Sequence, residues 1–384
     1  MQAQVLNAQE YGIDRGELLP TPRLAVYRTR LEQNISLMRR YLESVVPGSG
    51  FRHLAPHVKT HKSAWVTRIL MESGIRKFKC TLHELDMLCD AGAADILVAY
   101  PLLPHDADRV AGRVACRPSG SISAQVGCIE HADCLATAAR KHGVEISCLL
   151  DLNVGQDRTG AAPEKVTDLA RHIARSPHTG PLRIRGIHAY AGHNDSPDPE
   201  ERAACSGRTM ARVVECLKGL RQAGVSVERI VVAGTPGFME ELRELIGEHR
   251  VSAEVDVSPG TWVYWDTKYD GILPGMFEFA SLILGQVIDL PAPGLATLNL
   301  GSKRWSADKG PVRLFSIPGL EVVSASEEHT VLRNTQGTKL RVGDQVLLAP
   351  HHVCTTVNLW ETFTVVGEDG RVEMRSVPVD GRNR

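Results

Sequence analysis

The sequence predicts an α/β protein, a (β/α)8 barrel followed by a C-terminal all-β domain, on two observations. Between about residues 54 and 257, short β-branched or apolar runs alternate with longer amphipathic segments of helical period. After about residue 270 that rhythm stops, and short apolar runs separated by Gly, Pro and Asn take over. The strands expected in the first region are Leu54 to Val58, Lys77 to Cys80, Asp95 to Ala99, Ser121 to Val126, Glu145 to Asp151, Arg183 to Tyr190, Glu228 to Ala233 and Val251 to Val257. Eight parallel strands, each followed by a helix, fit a barrel better than an open doubly wound sheet. The helices expected between them include Ser63 to Ser73, Leu82 to Ala91, Cys134 to His142, Pro163 to Arg175 and Glu200 to Ala223. Gly74, Gly143 and Gly224 stand where helices end. In the second region the expected strands are Leu282 to Leu290, Val312 to Ser316, Leu320 to Val323, Thr330 to Arg333, Gln345 to Leu348 and Phe363 to Val366. Leu24 to Tyr27 can pair into that domain before a helix over Arg30 to Glu43 enters the barrel. The expected boundaries are 24–270 for the barrel and 271–384 for the β domain, with residues 1–23 joined to the latter.

Composition narrows the function. The chain has 384 residues, 44 Lys+Arg against 45 Asp+Glu, and a net charge of −1, so it lacks the basic footprint of a nucleic-acid or anionic-lipid binder. No apolar run reaches the ~20 residues of a membrane helix. Met1 to Pro20 holds no signal-peptide core, so a cytoplasmic protein is expected. Nine cysteines, an odd set without a Cys-x-x-Cys pair, read as reduced thiols.

Barrel active sites lie at the carboxyl ends of the strands, and each end offers candidates. The first carries His57-Val58-Lys59-Thr60-His61-Lys62; a lysine desolvated there can form a Schiff base with an aldehyde cofactor, although most lysines are solvated loop residues. The fifth leads to Arg158, suited to a ring nitrogen, a carboxylate, a phosphate or a plain surface ion pair. The sixth ends in His188-Ala189-Tyr190-Ala191-Gly192-His193, with three titratable groups within six residues. Ala233-Gly234-Thr235-Pro236-Gly237 and Ser258-Pro259-Gly260-Thr261 follow the seventh and eighth strands, where barrels bind phosphate on backbone N–H groups. In the C-terminal domain, His352 and Cys354 would share one face of a strand. Both could then reach one metal ion and leave positions open for water and substrate, or they are simply an exposed His beside a small thiol.

Together these clusters resemble the D-threonine aldolase/D-serine dehydratase family, PLP enzymes with an alanine-racemase-like barrel. The resemblance covers nearly the whole chain. It is carried by PHVKTHK around Lys59, DAGAADILVAYPL, DLNVGQDRTG, HAYAGH, the Gly-Thr-x-Gly loop, PGTWVYWD, GSKRWSAD at Gly301 to Asp308, SEEHT and the terminal His-x-Cys. It implies that Lys59 is the Schiff-base lysine, Arg158 the partner of the pyridine nitrogen and Tyr190 a cofactor-pocket residue. By the same resemblance His193 is the base near the substrate, and Gly234, Thr235, Gly237, Gly260 and Thr261 form the phosphate cradle. His352 and Cys354 are the divalent-metal ligands, with zinc ahead of manganese or magnesium because a thiolate is soft. The phosphate loop reads AGTPGF where the family more often has a longer Gly-Gly-Gly-Thr run, and Trp262 stands where Tyr is usual.

An Arg beside the pyridine nitrogen would make the ring a poor electron sink. A metal on the substrate's β-hydroxyl would therefore have to help, by promoting its departure or by acidifying it. His-x-Cys resembles the dehydratase branch and His-x-Asp the aldolase branch. The expected activity is thus loss of water from a D-3-hydroxy amino acid to give a 2-oxo acid and ammonia, with retro-aldol cleavage to glycine and an aldehyde as the alternative. A racemase or a non-enzymatic PLP-binding protein would leave 271–384 and the metal pair without a task. A homodimer is implied by the resemblance.

Overall fold

In the computed structural model, residues 6, 11–13, 19–117, 120–308, 310, 312 and 314–382 are described. The strands in chain order are β1 (Arg23–Tyr27), β2 (Lys77–Cys80), β3 (Asp95–Val98), β4 (Ser121–Val126), β5 (Ile146–Asp151), β6 (Leu182–Ala189), β7 (Arg229–Val232) and β8 (Glu254–Val257). They continue with β9 (Ser281–Asp289), β10 (Leu295–Leu298), β11 (Leu314–Phe315), β12 (Leu320–Ala325), β13 (Thr330–Asn334), β14 (Gln345–Ala349), β15 (Thr362–Val366) and β16 (Val372–Pro378). The α-helices are α1 (Arg28–Val45), α2 (Ala64–Glu72), α3 (Leu82–Ala91), α4 (Pro104–Ala115), α5 (Ile129–His142), α6 (Pro163–Arg175), α7 (Pro199–Gln222), α8 (Phe238–Arg243), α9 (Thr267–Ile272) and α10 (Val353–Val357).

Two compact units result: Arg39–Lys59 with Thr67–Gly260, and Met1–Met38 with Thr60–Val66 and Thr261–Arg384. The expected boundary at residue 270 therefore moves to 260, and residues 24–38 leave the barrel. Strand β1 is the cause, because it pairs parallel to β15 and antiparallel to β9. Residues 60–66 follow for a similar reason: Gly381 N donates to Lys62 O at 2.9 Å, and Ala64 N donates to Asp380 Oδ2 at 2.8 Å.

The first unit is the α/β barrel. Its strands β2 to β8 lie side by side in chain order, all parallel. Of the eight strands expected, the first, Leu54 to Val58, is not a regular strand. It closes the ring through isolated parallel bridges, Leu54 to Val257 and His57 to Lys79. Pro56 sits between those bridges and has no N–H to donate, so no continuous ladder can run through it. Around the ring the helices begin and end where the chemistry requires. Thr81 and Glu84 form a capping box at the start of α3, and Gly92 ends it with φ 85°. Asp198 caps α7 ahead of Pro199. At the amino-terminal end of the strands the interior is filled by charge. Arg229 Nε donates to Asp256 Oδ2 at 2.6 Å and Nη1 to Asp95 Oδ1 at 2.8 Å, Arg185 reaches the other Asp95 oxygen at 3.0 Å, and Lys77 pairs with Asp256 and with Glu254.

The second unit is built on a sheet in the order β12-β13-β10-β9-β1-β15-β16, with β14 pairing β9 and β11. Leu282 and Leu284 of β9, Ala25 and Tyr27 of β1, and Leu347 and Ala349 of β14 form one buried cluster that also takes in Leu6, Tyr11 and Leu19. Of the expected joining segment 1–23, residues 1–5, 7–10 and 14–18 lie outside the described residues, as does residue 313 of the expected strand Val312 to Ser316. All five tryptophans of the chain, Trp65, Trp262, Trp265, Trp305 and Trp360, belong to this unit. The nine cysteines are free thiols. Among the described residues no helix is long and apolar enough to cross a membrane.

Candidate active site

In a parallel barrel, alternate residues of each strand face inward, and near the carboxyl ends four inward polar side chains join hands. Lys79 Nζ of β2 lies 3.3 Å from His188 Nε2 of β6, His188 Nδ1 lies 2.8 Å from Asp151 Oδ1 of β5, and Gln125 Nε2 of β4 donates to Asp151 Oδ2 at 2.6 Å. Each of the four is at most 4% exposed. Because Asp151 accepts at Nδ1, the His188 proton sits there and Nε2 faces the lysine as an acceptor. Burial pulls Lys79 down to about 7, helped by the charges of Lys59 and Arg158 and opposed by Asp151 and Glu241. Burial likewise lowers His188, with the charge of Lys79 adding to the effect.

Above this layer opens a cavity of about 550 Å³, lined among others by Lys59, Lys79, Arg158, His188 and Tyr190. Three cations surround the Tyr190 ring, with Lys79 Nζ and the Arg158 guanidinium each 5.0 Å from its centroid and Lys59 Nζ 5.9 Å away. Arg158 is set by a tight loop in which Asn153 Oδ1 accepts from Gly155 N at 2.9 Å and Asp157 N at 3.2 Å. The loop closes on Gly160, φ 89°, where a Cβ would sit 2.8 Å from Asn153 N. His193, expected as a base, is exposed, packs against Gly155 and is not among the residues lining the cavity.

The loop after β7 starts at Ala233 with φ 64° and runs through Gly234, the buried Thr235 and Gly237. A Cβ on Gly234 would stand 3.1 Å from Tyr190 Cε2, so glycine lets the loop backbone approach the ring. The loop after β8 holds Gly260 and is fixed by Ser258 Oγ donating to Ala55 O at 2.7 Å. An amine, an aromatic face and a backbone approach that a side chain would obstruct suit a phosphorylated pyridine aldehyde.

The second unit holds the other candidates. His352 and Cys354 do not lie on a strand. His352 is the N-cap of α10 and Cys354 lies in its first turn, because the backbone leaves β14 at Ala349 and Val353 N is capped by Asp266 Oδ2 at 2.9 Å. The two side chains nevertheless hydrogen-bond each other. Cys354 Sγ also lies 3.2 Å from Thr60 Oγ1 and 3.7 Å from Thr261 Oγ1. His352 Nδ1 meets Asp308 Oδ2 at 2.7 Å, and Thr355 Oγ1 donates to Asp308 Oδ1 at 3.1 Å. With Nδ1 so engaged, Nε2 is the ring nitrogen left for a metal. Burial lowers His352, but Cys354 and Asp308 together raise it to about 9. Among the described residues no group of three or more His, Cys, Asp or Glu is arranged to hold a metal ion. A cation here would have His352 and Cys354 as its protein ligands, with Asp308 orienting the imidazole. Asp308 was reachable from the sequence, since GSKRWSAD ends on it. Lys79 gave no signal, since Lys-Phe-Lys-Cys reads as a strand with lysines facing solvent.

A parallel barrel with a lysine-bearing, aromatic-lined mouth defines the alanine-racemase class. The family model "Alanine racemase, N-terminal domain" matches residues 26–267, and the chain belongs to that family; "Putative serine dehydratase domain" matches residues 280–366. Among curated proteins the chain is similar to the 3-hydroxy-D-aspartate aldolase of Paracoccus denitrificans (strain Pd 1222), 28% identical over 94% of this chain and 92% of the relative. It is also similar to the D-threo-3-hydroxyaspartate dehydratase of Delftia sp. (strain HT23), 26% identical over 92% and 96%. The crystal structure of D-threonine aldolase from Filomicrobium marinum shares the fold, with a TM-score of 0.84 at 24% identity over 94% of this chain and 96% of that one. The relatives are named as aldolases and dehydratases, in line with the family resemblance read from the sequence.

Proposed function

We propose that this chain is a PLP- and divalent-metal-dependent dehydratase that removes water from a D-3-hydroxy amino acid to give a 2-oxo acid and ammonia. The observation that carries the choice is the His352 and Cys354 pair, with Asp308 on the imidazole. Lys59 holds PLP, Arg158 and Tyr190 shape its pocket, and Gly234, Thr235, Gly237 and Gly260 with Thr261 take the phosphate. The cofactor, when bound, supplies an electron sink for charge developing at Cα. A zinc ion at His352 and Cys354, favoured over manganese or magnesium by the thiolate, supplies Lewis acidity for the β-hydroxyl. The Lys59 amine would be the base at Cα–H. Retro-aldol cleavage to glycine and an aldehyde is the second reading, supported by the aldolases among the relatives. The cytoplasm is the expected location, and the family resemblance supports a homodimer.

Product analysis decides between the two reactions. D-serine or D-threo-3-hydroxyaspartate is expected to give a 2-oxo acid and ammonia, while L-isomers are untouched. Glycine plus aldehyde, with no 2-oxo acid from any substrate, would make the enzyme an aldolase.

Chelation tests the metal. It is expected to abolish turnover and leave the PLP absorbance in place, with Cys354→Ala behaving like the chelated enzyme. Full activity in a preparation shown metal-free by elemental analysis would return the pair to an ordinary surface thiol and imidazole.

A further inference from the structure

The loop that would take the cofactor's phosphate, Ala233 to Gly237, wraps around one side chain. Glu241 of α8 is fully buried, and its carboxyl lies against both ends of the loop. At the far end Gly237 leaves no room for a Cβ, which would stand 2.8 Å from Glu241 Oε1, 2.8 Å from Asn194 Nδ2 and 3.2 Å from Ser206 Oγ. Glu241 N also donates to Gly237 O at 3.0 Å. At the near end the N–H of Ala233 acts on the carboxyl, at a geometry short of a full hydrogen bond. Ala233 is the residue at φ 64°, a left-handed backbone that alanine adopts only where its surroundings impose it. We propose that Glu241 is a positioning residue, whose buried carboxyl holds the Ala233–Gly237 loop in the shape that takes a phosphate. The proposal rests on the phosphate cradle assigned above and concerns the barrel unit alone, to which all of these residues belong.

Core packing alone does not account for a glutamate here. A buried carboxyl with no full hydrogen bond on either oxygen carries a desolvation cost that an apolar residue of similar size would avoid. Burial pushes Glu241 well above the ordinary carboxylate range; the charges of Glu240 and Glu244 add to this, and the Ala233 N–H and Lys79 oppose it. The group is therefore an uncharged acid at neutral pH, and it lays no negative charge beneath a bound phosphate. An uncharged acid still offers the loop an acceptor at its carbonyl oxygen. That acceptor faces the N–H of the one loop residue whose backbone is strained.

The test is the phosphate preference of the apoprotein: the Kd for pyridoxal, which lacks the phosphate, divided by the Kd for PLP, each read from the absorbance of the bound aldehyde. Whatever Lys59 contributes to holding the aldehyde enters both constants and cancels. Wild type is expected to prefer PLP by about 10²-fold or more. Glu241→Gln keeps the shape and the acceptor and should stay within about threefold of that ratio. Glu241→Met fills the same space without a polar atom and should lose about tenfold or more of it. A role in packing alone would move the melting temperature and leave the ratio where it was, so an unchanged ratio in folded Glu241→Met overturns the proposal. If that variant does not fold, Glu241→Asp, which draws the carboxyl back by one methylene, is read against the same threshold. A Gln variant that loses as much as Met would also overturn it, because shape and acceptor would then not be what holds the loop. Wild type with no preference for PLP would overturn the phosphate cradle together with the role of Glu241. Turnover enters neither constant, so a protein inactive on every D-3-hydroxy amino acid fails the lyase reading and leaves this inference to the same ratio.

Discussion

Lys59→Ala is expected to lower turnover by about 10³-fold or more and to leave no borohydride-reducible adduct at residue 59. Wild-type protein should be yellow and bleach on reduction, with the reduced cofactor mapped by peptide mass to Lys59. Two other lysines are near in sequence or space. Lys62 is buried and donates to Gly381 O at 3.3 Å, so its amine is committed to the chain. Lys79 is the stronger competitor, because it shares the cavity and ionises less readily. An adduct on either of them in wild-type protein would move the Schiff base off Lys59.

The second large effect is on stability. Asp256 is fully buried and answers both Arg229, at 2.6 Å, and Lys77. Asp256→Ala leaves Arg229 with Asp95 and Lys77 with Glu254 as their remaining acidic partners, removes the buried carboxylate that joins the two cations, and is expected to cost about 3–5 kcal/mol. Removal of Asp168, whose partner Arg171 is 46% exposed, is expected to cost no more than about 0.5 kcal/mol. Urea unfolding followed by far-UV circular dichroism measures both. A loss under about 1 kcal/mol for Asp256→Ala would mean that the network is not holding the barrel.

Much of this was legible in the chain. Strands β3 to β8 announce themselves because a parallel sheet covered on both faces selects Val, Ile and Leu runs. Helix α4 was not among the helices expected, although its buried residues Ala107, Val110 and Ala111 stand at helical spacing, because two of the three are alanines and the face carries little apolar bulk. Strand β16 was hidden because it is an edge strand: most of Val372–Pro378 is exposed, and Glu373, Arg375 and Ser376 interrupt its apolar residues. The misplacement of His352 and Cys354 onto a strand shows the limit of spacing, because i and i+2 can also meet across a helix cap. Lys79 is the clearest loss. Lys77 and Lys79 share a face by the period of two, and only closure of the ring makes that face an interior, where the residues that answer it lie more than a hundred positions away.

The gathering of every tryptophan into the β-rich unit turns intrinsic fluorescence into a one-sided reporter. Emission follows the melting of that unit alone, while the barrel is optically silent until PLP gives it a colour of its own. One denaturation run, read at the indole and cofactor wavelengths together, therefore measures the two units separately in the intact chain. Coincident transitions would mark a single cooperative block. Separated ones would give the order in which the halves let go, with no cutting or labelling.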